Sequence, residues 1–181
     1  MTAQPGTPEQ TAFCMRPGAD CAPIQSPVQI PKAALRALST DAIVSDCSKS
    51  HGFSPERLPA RWFAASIVHL HRADESDLLV MPAMSGDSAK SEKSESGCWD
   101  LVKYPPSNLY PDMGMYEPVP FWVLRNTGRG YEVALSEELS TLEILSKRSR
   151  EFHLIEITIL SPDSIGDGDM EYNGKRYVYK E

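Results

Sequence analysis

The run from Phe152 to Leu160 places Ile155, Ile157 and Ile159 on one face of an extended chain and Glu156 and Thr158 on the other, as a strand with one buried side requires. A strand of this kind needs a second layer to cover its isoleucines. Upstream, Phe121-Trp122-Val123-Leu124-Arg125 and Tyr131-Glu132-Val133-Ala134-Leu135 flank Asn126-Thr127-Gly128-Arg129-Gly130, a turn whose Gly and Asn residues tolerate positive φ. Leu142 to Leu145 reads as the partner of the isoleucine strand, across a polar tip from Ser146 to Glu151. At the C-terminus Asn173-Gly174 separates Met170-Glu171-Tyr172 from Lys175-Arg176-Tyr177-Val178-Tyr179, which predicts a two-residue type I′ hairpin. A fourth pair, Trp62 to His71 and Leu78 to Met81, meets at the acidic turn Asp74-Glu75-Ser76-Asp77. These hairpins predict a mainly β chain, with antiparallel hairpins forming a compact sandwich or a partial propeller-like sheet. One short N-terminal helix is expected after Pro31, through Lys32-Ala33-Ala34-Leu35-Arg36-Ala37-Leu38.

Proline and serine divide the rest. Six of the 15 prolines fall within the first 31 residues, so 1–30 reads as a Pro-rich extended arm and 31–181 as a single domain. Residues 85–97 carry five Ser and no large apolar side chain, which predicts a flexible loop. Residues 104–120 carry Tyr, Met and Pro without periodicity, an irregular excursion across the surface. With 18 Lys and Arg against 25 Asp and Glu, the net charge of −7 gives no overall field to attract nucleic acid. No apolar run approaches the ~20 residues that a transmembrane helix needs.

Cysteine usage speaks to the compartment. Cys14, Cys21, Cys47 and Cys98 are even in number and lack the paired CxxC spacing of a zinc site, so two bridges are expected, Cys14 to Cys21 and Cys47 to Cys98. On loop entropy these contribute about 2 and about 4 kcal/mol. The alternative is a cytosolic chain with four free thiols. Met1 to Gly6 has neither a basic nor an apolar signal region, so a bridged chain implies a periplasmic or extracellular protein whose signal peptide has been removed.

The hairpins are loosely similar to one another. Asp77-Leu78-Leu79-Val80, Phe121-Trp122-Val123 through Gly130-Tyr131, and Asn173-Gly174-Lys175-Arg176-Tyr177 together resemble secreted bacterial β-repeat proteins of the FG-GAP type. The resemblance covers residues 61–82 and 120–179 and implies a secreted scaffold for binding rather than catalysis. The Asp/Asn-rich calcium loop repeated in that family is missing between these strands, and the chain is too short for a full propeller.

Four constellations carry candidate chemistry or contact surface. His69 and His71, two apart on a predicted strand, would share a face, and a carboxylate of the adjoining turn, Asp74 or Asp77, could join them as a metal ligand; the alternative is a pair of polar, solvent-facing positions. The run Asp163-Ser164-Ile165-Gly166-Asp167-Gly168-Asp169 offers carboxylates of the kind calcium takes, yet lacks EF-hand spacing and reads better as a solvated turn. Lys147, Arg148 and Arg150 form a basic tip, joined by Lys175 and Arg176 on the last hairpin, suited to an anionic group or to solubility alone. Tyr104, Tyr110, Met113, Met115 and Tyr116, set among prolines, offer rigid contact surface for a partner or a cover for a sheet face.

No nucleophile elbow, phosphate loop or His-Glu-x-x-His motif is present. The expected function is therefore a secreted or periplasmic, non-enzymatic binding protein that recognises a protein or cell-envelope component through residues 84–120, without a cofactor. An envelope inhibitor of a hydrolase belongs to this class. The alternatives are a small metal-dependent enzyme centred on His69 and His71, and a structural domain of an envelope assembly.

Overall fold

A computed structural model of the chain describes residues 12–14, 28–72, 74–84, 93–102, 116–161 and 164–181. Two antiparallel sheets pack face to face, and two helices cover the outer side of one of them. The first sheet contains β2 (Phe63–Val68), β3 (Asp77–Pro82), β4 (Val119–Asn126) and β5 (Tyr131–Leu139), in that order. In the second, β1 (Ala12–Cys14) lies beside β6 (Thr141–Ser149), followed by β7 (Phe152–Ser161), β8 (Ser164–Tyr172) and β9 (Tyr177–Tyr179). The sandwich expected from the hairpins is the observed architecture, and among the described residues no closed barrel forms.

The central strands show why one sheet needs two covers. In β3 all six residues are buried. Leu79 and Met81 face the other sheet, while Leu78 and Val80 face the helices. β4 repeats this with Phe121 and Val123 on one side and Trp122 and Leu124 on the other. A strand buried on both faces loses the apolar/polar alternation and reads as a continuous apolar run, as Leu78 to Met81 does. Opposite Val123 and Leu124, β5 takes in one extra residue, so that Ala134 and Leu135 both reach the core between the sheets.

The helical cover is α1 (Lys32–Leu38) and a second helix, α2 (Ala42–His51), beyond the single helix expected. Serines and charges at Ser45, Asp46, Ser48, Lys49 and Ser50 hide its apolar face in the sequence. Its ends are nevertheless marked. Asp41 accepts hydrogen bonds from Ile43 N (3.1 Å) and Val44 N (3.3 Å), and Gly52, at φ 69°, stops the helix in the left-handed conformation. The same Asp41 carboxylate oxygen accepts from Trp122 Nε1 at 3.0 Å, which ties the helix cap to the middle of β4.

Several expectations change. The arm 1–30 contributes β1, with Phe13 and Cys14 buried, and Val28 bridges to Ala65 at the edge of β2. The run expected as a solvated turn is, where described, strand β8: Asp167, Asp169 and Glu171 alternate with Gly166, Gly168, Met170 and Tyr172. Gly168 makes room for the Tyr179 ring, which lies 3.1 Å from the place of a Cβ. In the last hairpin Asn173 N donates to Arg176 O, so the two central residues are Gly174 and Lys175, not Asn173 and Gly174. Only Gly174 has positive φ (99°), the pattern of a type II′ turn, while the Asn173 side chain accepts from Lys175 N and Arg176 N. The two-residue turn with positive φ at both positions belongs instead to β6–β7, at Arg150 (51°) and Glu151 (70°). Of the loop expected at 85–97, residues 85–92 lie outside the described ones; Ser94 and Ser96 beyond them are buried, with Ser94 N and Oγ donating to Asp100.

Candidate functional site

Within each sheet the consecutive strands β2 to β5 and β6 to β9 are neighbours and run antiparallel, so their connections alternate between two ends. The turns β2–β3 and β4–β5 therefore share one end of the first sheet, and β6–β7 and β8–β9 share one end of the second; the 83–118 connection leaves β3 and enters β4 at the opposite end of the first sheet. Direct contacts knit the four turns together. His153 N donates to Leu70 O (2.8 Å), Asn126 N to Asp77 Oδ1 (2.8 Å), Arg125 Nη1 to Tyr172 Oη (3.0 Å) and Tyr177 Oη to His153 O (2.9 Å).

At the base of this end sits Asp77, fully buried, which accepts from Leu70 N (3.1 Å) as well as Asn126 N. Burial pushes its carboxyl above the ordinary value, against the two backbone hydrogen bonds and Arg125, which pull it down; Glu75 adds to the rise. Desolvation, with the charge of Asp77 next, likewise holds the Tyr177 hydroxyl well above the ordinary tyrosine range. The Arg125 guanidinium lies over the rings of Phe152 (5.2 Å) and Tyr172 (5.3 Å), a cation held against aromatic faces.

The predicted pair His69 and His71 lies here, past the end of β2, where the two-residue period of a strand no longer applies. His69 Nδ1 meets Glu75 O (2.7 Å). His71 Nδ1 meets Glu75 Oε2 (3.3 Å), its Nε2 meets Glu151 Oε2 (3.2 Å), and its ring stacks on Phe152 at 4.5 Å. Asp74 pairs with Arg72 (3.5 Å). These groups clamp the β2–β3 loop to the β6–β7 tip. The expected His69, His71 and Asp74 set does not converge: among the described residues, only Cys47, His51 and Cys98 bring three ligand atoms within 4.8 Å of one another.

Arg148 belongs to the same clamp, its Nη1 donating to His71 O (2.8 Å) and Glu151 O (3.0 Å). It holds in place the turn in which Arg150 and Glu151, neither of them Gly or Asn, take the left-handed conformation. That conformation costs of order 1–3 kcal/mol per residue and persists where neighbouring contacts fix it. The turn presents Lys147 and Arg150 outward.

Eight of the 18 Lys and Arg lie at this end: Arg72, Arg125, Arg129, Lys147, Arg148, Arg150, Lys175 and Arg176. All but Arg125 are exposed. Arg129, Lys147, Arg150, Lys175 and Arg176 make no ion pair with another described residue. Sequence reasoning found the tip Lys147, Arg148, Arg150 and the pair Lys175, Arg176. It missed Arg72, Arg125 and Arg129, since only strand order shows that all four turns share an end.

The aromatic excursion is seen only in part. Tyr104, Tyr110, Met113 and Met115 lie outside the described residues, and Tyr116 packs half-buried against the core between the sheets. Trp99 and Leu101 of the same connection are buried, one toward the helices and one between the sheets. Cys47 and Cys98 form the expected disulfide. Cys14 is also disulfide-bonded, and Cys21 lies outside the described residues. No helix is long and apolar enough to cross a membrane, among the described residues. No protein-family model, curated protein or solved structure matches the chain.

Proposed function

We propose that the chain is a secreted or periplasmic binding protein that uses its four-turn end to hold an acidic macromolecule of the cell envelope, without catalysing a reaction. The observation that carries this reading is the local balance of charge: a chain of net charge −7 gathers eight of its 18 basic side chains at one end, where they outnumber the acids Asp74, Glu75, Asp77, Glu132, Glu151 and Glu171. A rigid end carrying guanidinium and ammonium groups suits carboxylate or phosphate groups repeated along a polymer. The disulfide supports an oxidising compartment. Residues 84–120 remain the alternative contact region, supported by the tyrosines and methionines at 104–116.

The test is titration with polygalacturonate at low and at moderate salt. Saturable binding that weakens as salt rises is expected. The triple variant Lys147→Glu, Arg150→Glu, Lys175→Glu should bind about tenfold more weakly or worse, because exposed ion pairs contribute roughly 0.2–1 kcal/mol each and reversal adds repulsion. Equal affinity in the variant, or no binding by the unaltered protein, would remove the basic end as the contact surface.

A further inference from the structure

Away from the four-turn end, α2 carries Cys47 and His51 four residues apart, so both project from one helix face. Cys98 meets them from the long 83–118 connection, and His51 Nδ1 lies 3.2 Å from Cys98 Sγ and 3.3 Å from Cys47 O. All three ligand atoms lie within 4.8 Å of one another. A tetrahedral zinc ion with Zn–S of about 2.3 Å and Zn–N of about 2.0–2.1 Å places its ligand atoms about 3.6–3.8 Å apart. The His51 ring nitrogen already lies near that spacing from Cys98 Sγ, whereas the two sulfurs, bonded to each other in the disulfide, reach it only once that bond is broken.

The scaffold holds these residues by means other than the disulfide. Cys47 is fixed by a helix capped at Asp41 and stopped at Gly52. Cys98 is fixed from both sides: its N donates to Ser96 Oγ (3.1 Å), and the next residue, Trp99, donates its N to Ser94 Oγ (3.0 Å) and is buried against Trp122 and Phe63. Gly97, at φ 75°, makes the turn that aims Cys98 at the helix. The triad borders a surface cleft of 640 Å³ whose lining also includes Asp46, Glu137 and Glu138. Carboxylates there favour a cation, and the open side leaves a fourth position for water.

We propose that Cys47, His51 and Cys98 are a zinc site that the disulfide masks and reduction opens. A dithiol reductant supplies two electrons and two protons. The Cys47–Cys98 bond breaks, two S–H bonds form, and the reductant leaves as its own disulfide. Zinc then displaces the two thiol protons, forms two Zn–S bonds and accepts a lone pair from the His51 imidazole, whose ring proton sits on the nitrogen that does not bind the metal. Oxidation by a disulfide of the same class reverses the sequence and releases the metal.

Cobalt(II) is the probe, added to the full chain after treatment with a phosphine reductant, with far-ultraviolet circular dichroism recording the fold. Reduced protein should bind one equivalent with thiolate-to-cobalt charge transfer and tetrahedral d–d absorption, and zinc should displace it. Oxidised protein should give neither band. His51→Ala should weaken binding about tenfold or more and shift the d–d bands, and the Cys47→Ser, Cys98→Ser variant, which retains Cys14 and Cys21, should lose both. The proposal is overturned by identical spectra in the double variant, by an unchanged His51→Ala spectrum, or by reduced protein that unfolds and takes up no metal.

Discussion

Trp122→Ala is expected to lower the free energy of unfolding by about 3–5 kcal/mol, read from denaturant unfolding. Trp122 is fully buried at the centre of β4, on the face turned to the helices. Its ring meets Phe63 at 5.7 Å and Trp99 at 5.2 Å, both edge to face, and its N–H reaches Asp41. Truncation removes the apolar contacts that hold three segments distant in sequence: α2, the start of β2 and the 93–102 stretch. Trp122→Phe keeps a ring in the cluster and loses the N–H donor, so it should cost less than half as much. A change within about 0.5 kcal/mol for Trp122→Ala, the range of surface substitutions, would mean that the helices do not cover this sheet.

Asp77→Ala should cost about 2–4 kcal/mol near neutral pH, because Leu70 N and Asn126 N would each lose a buried acceptor at about 1–3 kcal/mol. Removing a carboxylate that burial disfavours offsets part of this. Asp77→Asn keeps one acceptor oxygen and should fall between. The pH dependence separates charge from hydrogen bonding. The folded protein holds the Asp77 carboxyl above its ordinary value, so its contribution is fully present below that ordinary value and declines as pH rises through the raised one. The stability of the unaltered protein relative to Asp77→Asn should therefore fall with rising pH across that window. A difference independent of pH from acid to neutral would show that the carboxyl is not buried as described.

Much of the fold was legible because local pattern and burial agree. Ile155 and Ile157 face the core from β7 as their alternation requires, and Tyr172 and Tyr177 complete it from the last hairpin. Where the signal failed, long-range packing had decided the outcome. The Asp and Gly residues of β8 look like a loop because Gly166 and Gly168 occupy positions where apolar side chains are usual; Tyr179, reaching across from β9, takes the place of the missing side chain at Gly168. Helix α2 was hidden by its polar face, although Asp41 and Gly52 mark both of its ends in the sequence.

The candidate sites divide along the same line. Lys147, Arg148, Arg150, Lys175 and Arg176 were visible as charged tips, but a tip becomes part of a surface only when strand order brings the other turns beside it. His69 and His71 carried a strand-based expectation that lapsed when β2 ended at Val68, and carboxylates of two loops engage both nitrogens of His71. His51 drew no attention because its nearness to Cys98, 47 residues away, depends on a helix that was not foreseen.

Amide chemical-shift mapping during titration of the isotope-labelled full chain with polygalacturonate tests most directly whether the basic end is the binding surface. Shifts are predicted in 69–76, 126–130, 147–152 and 173–176, with little change in 93–102 and 116–119. Shifts concentrated in the 93–119 connection, or none at saturating polymer, would contradict it.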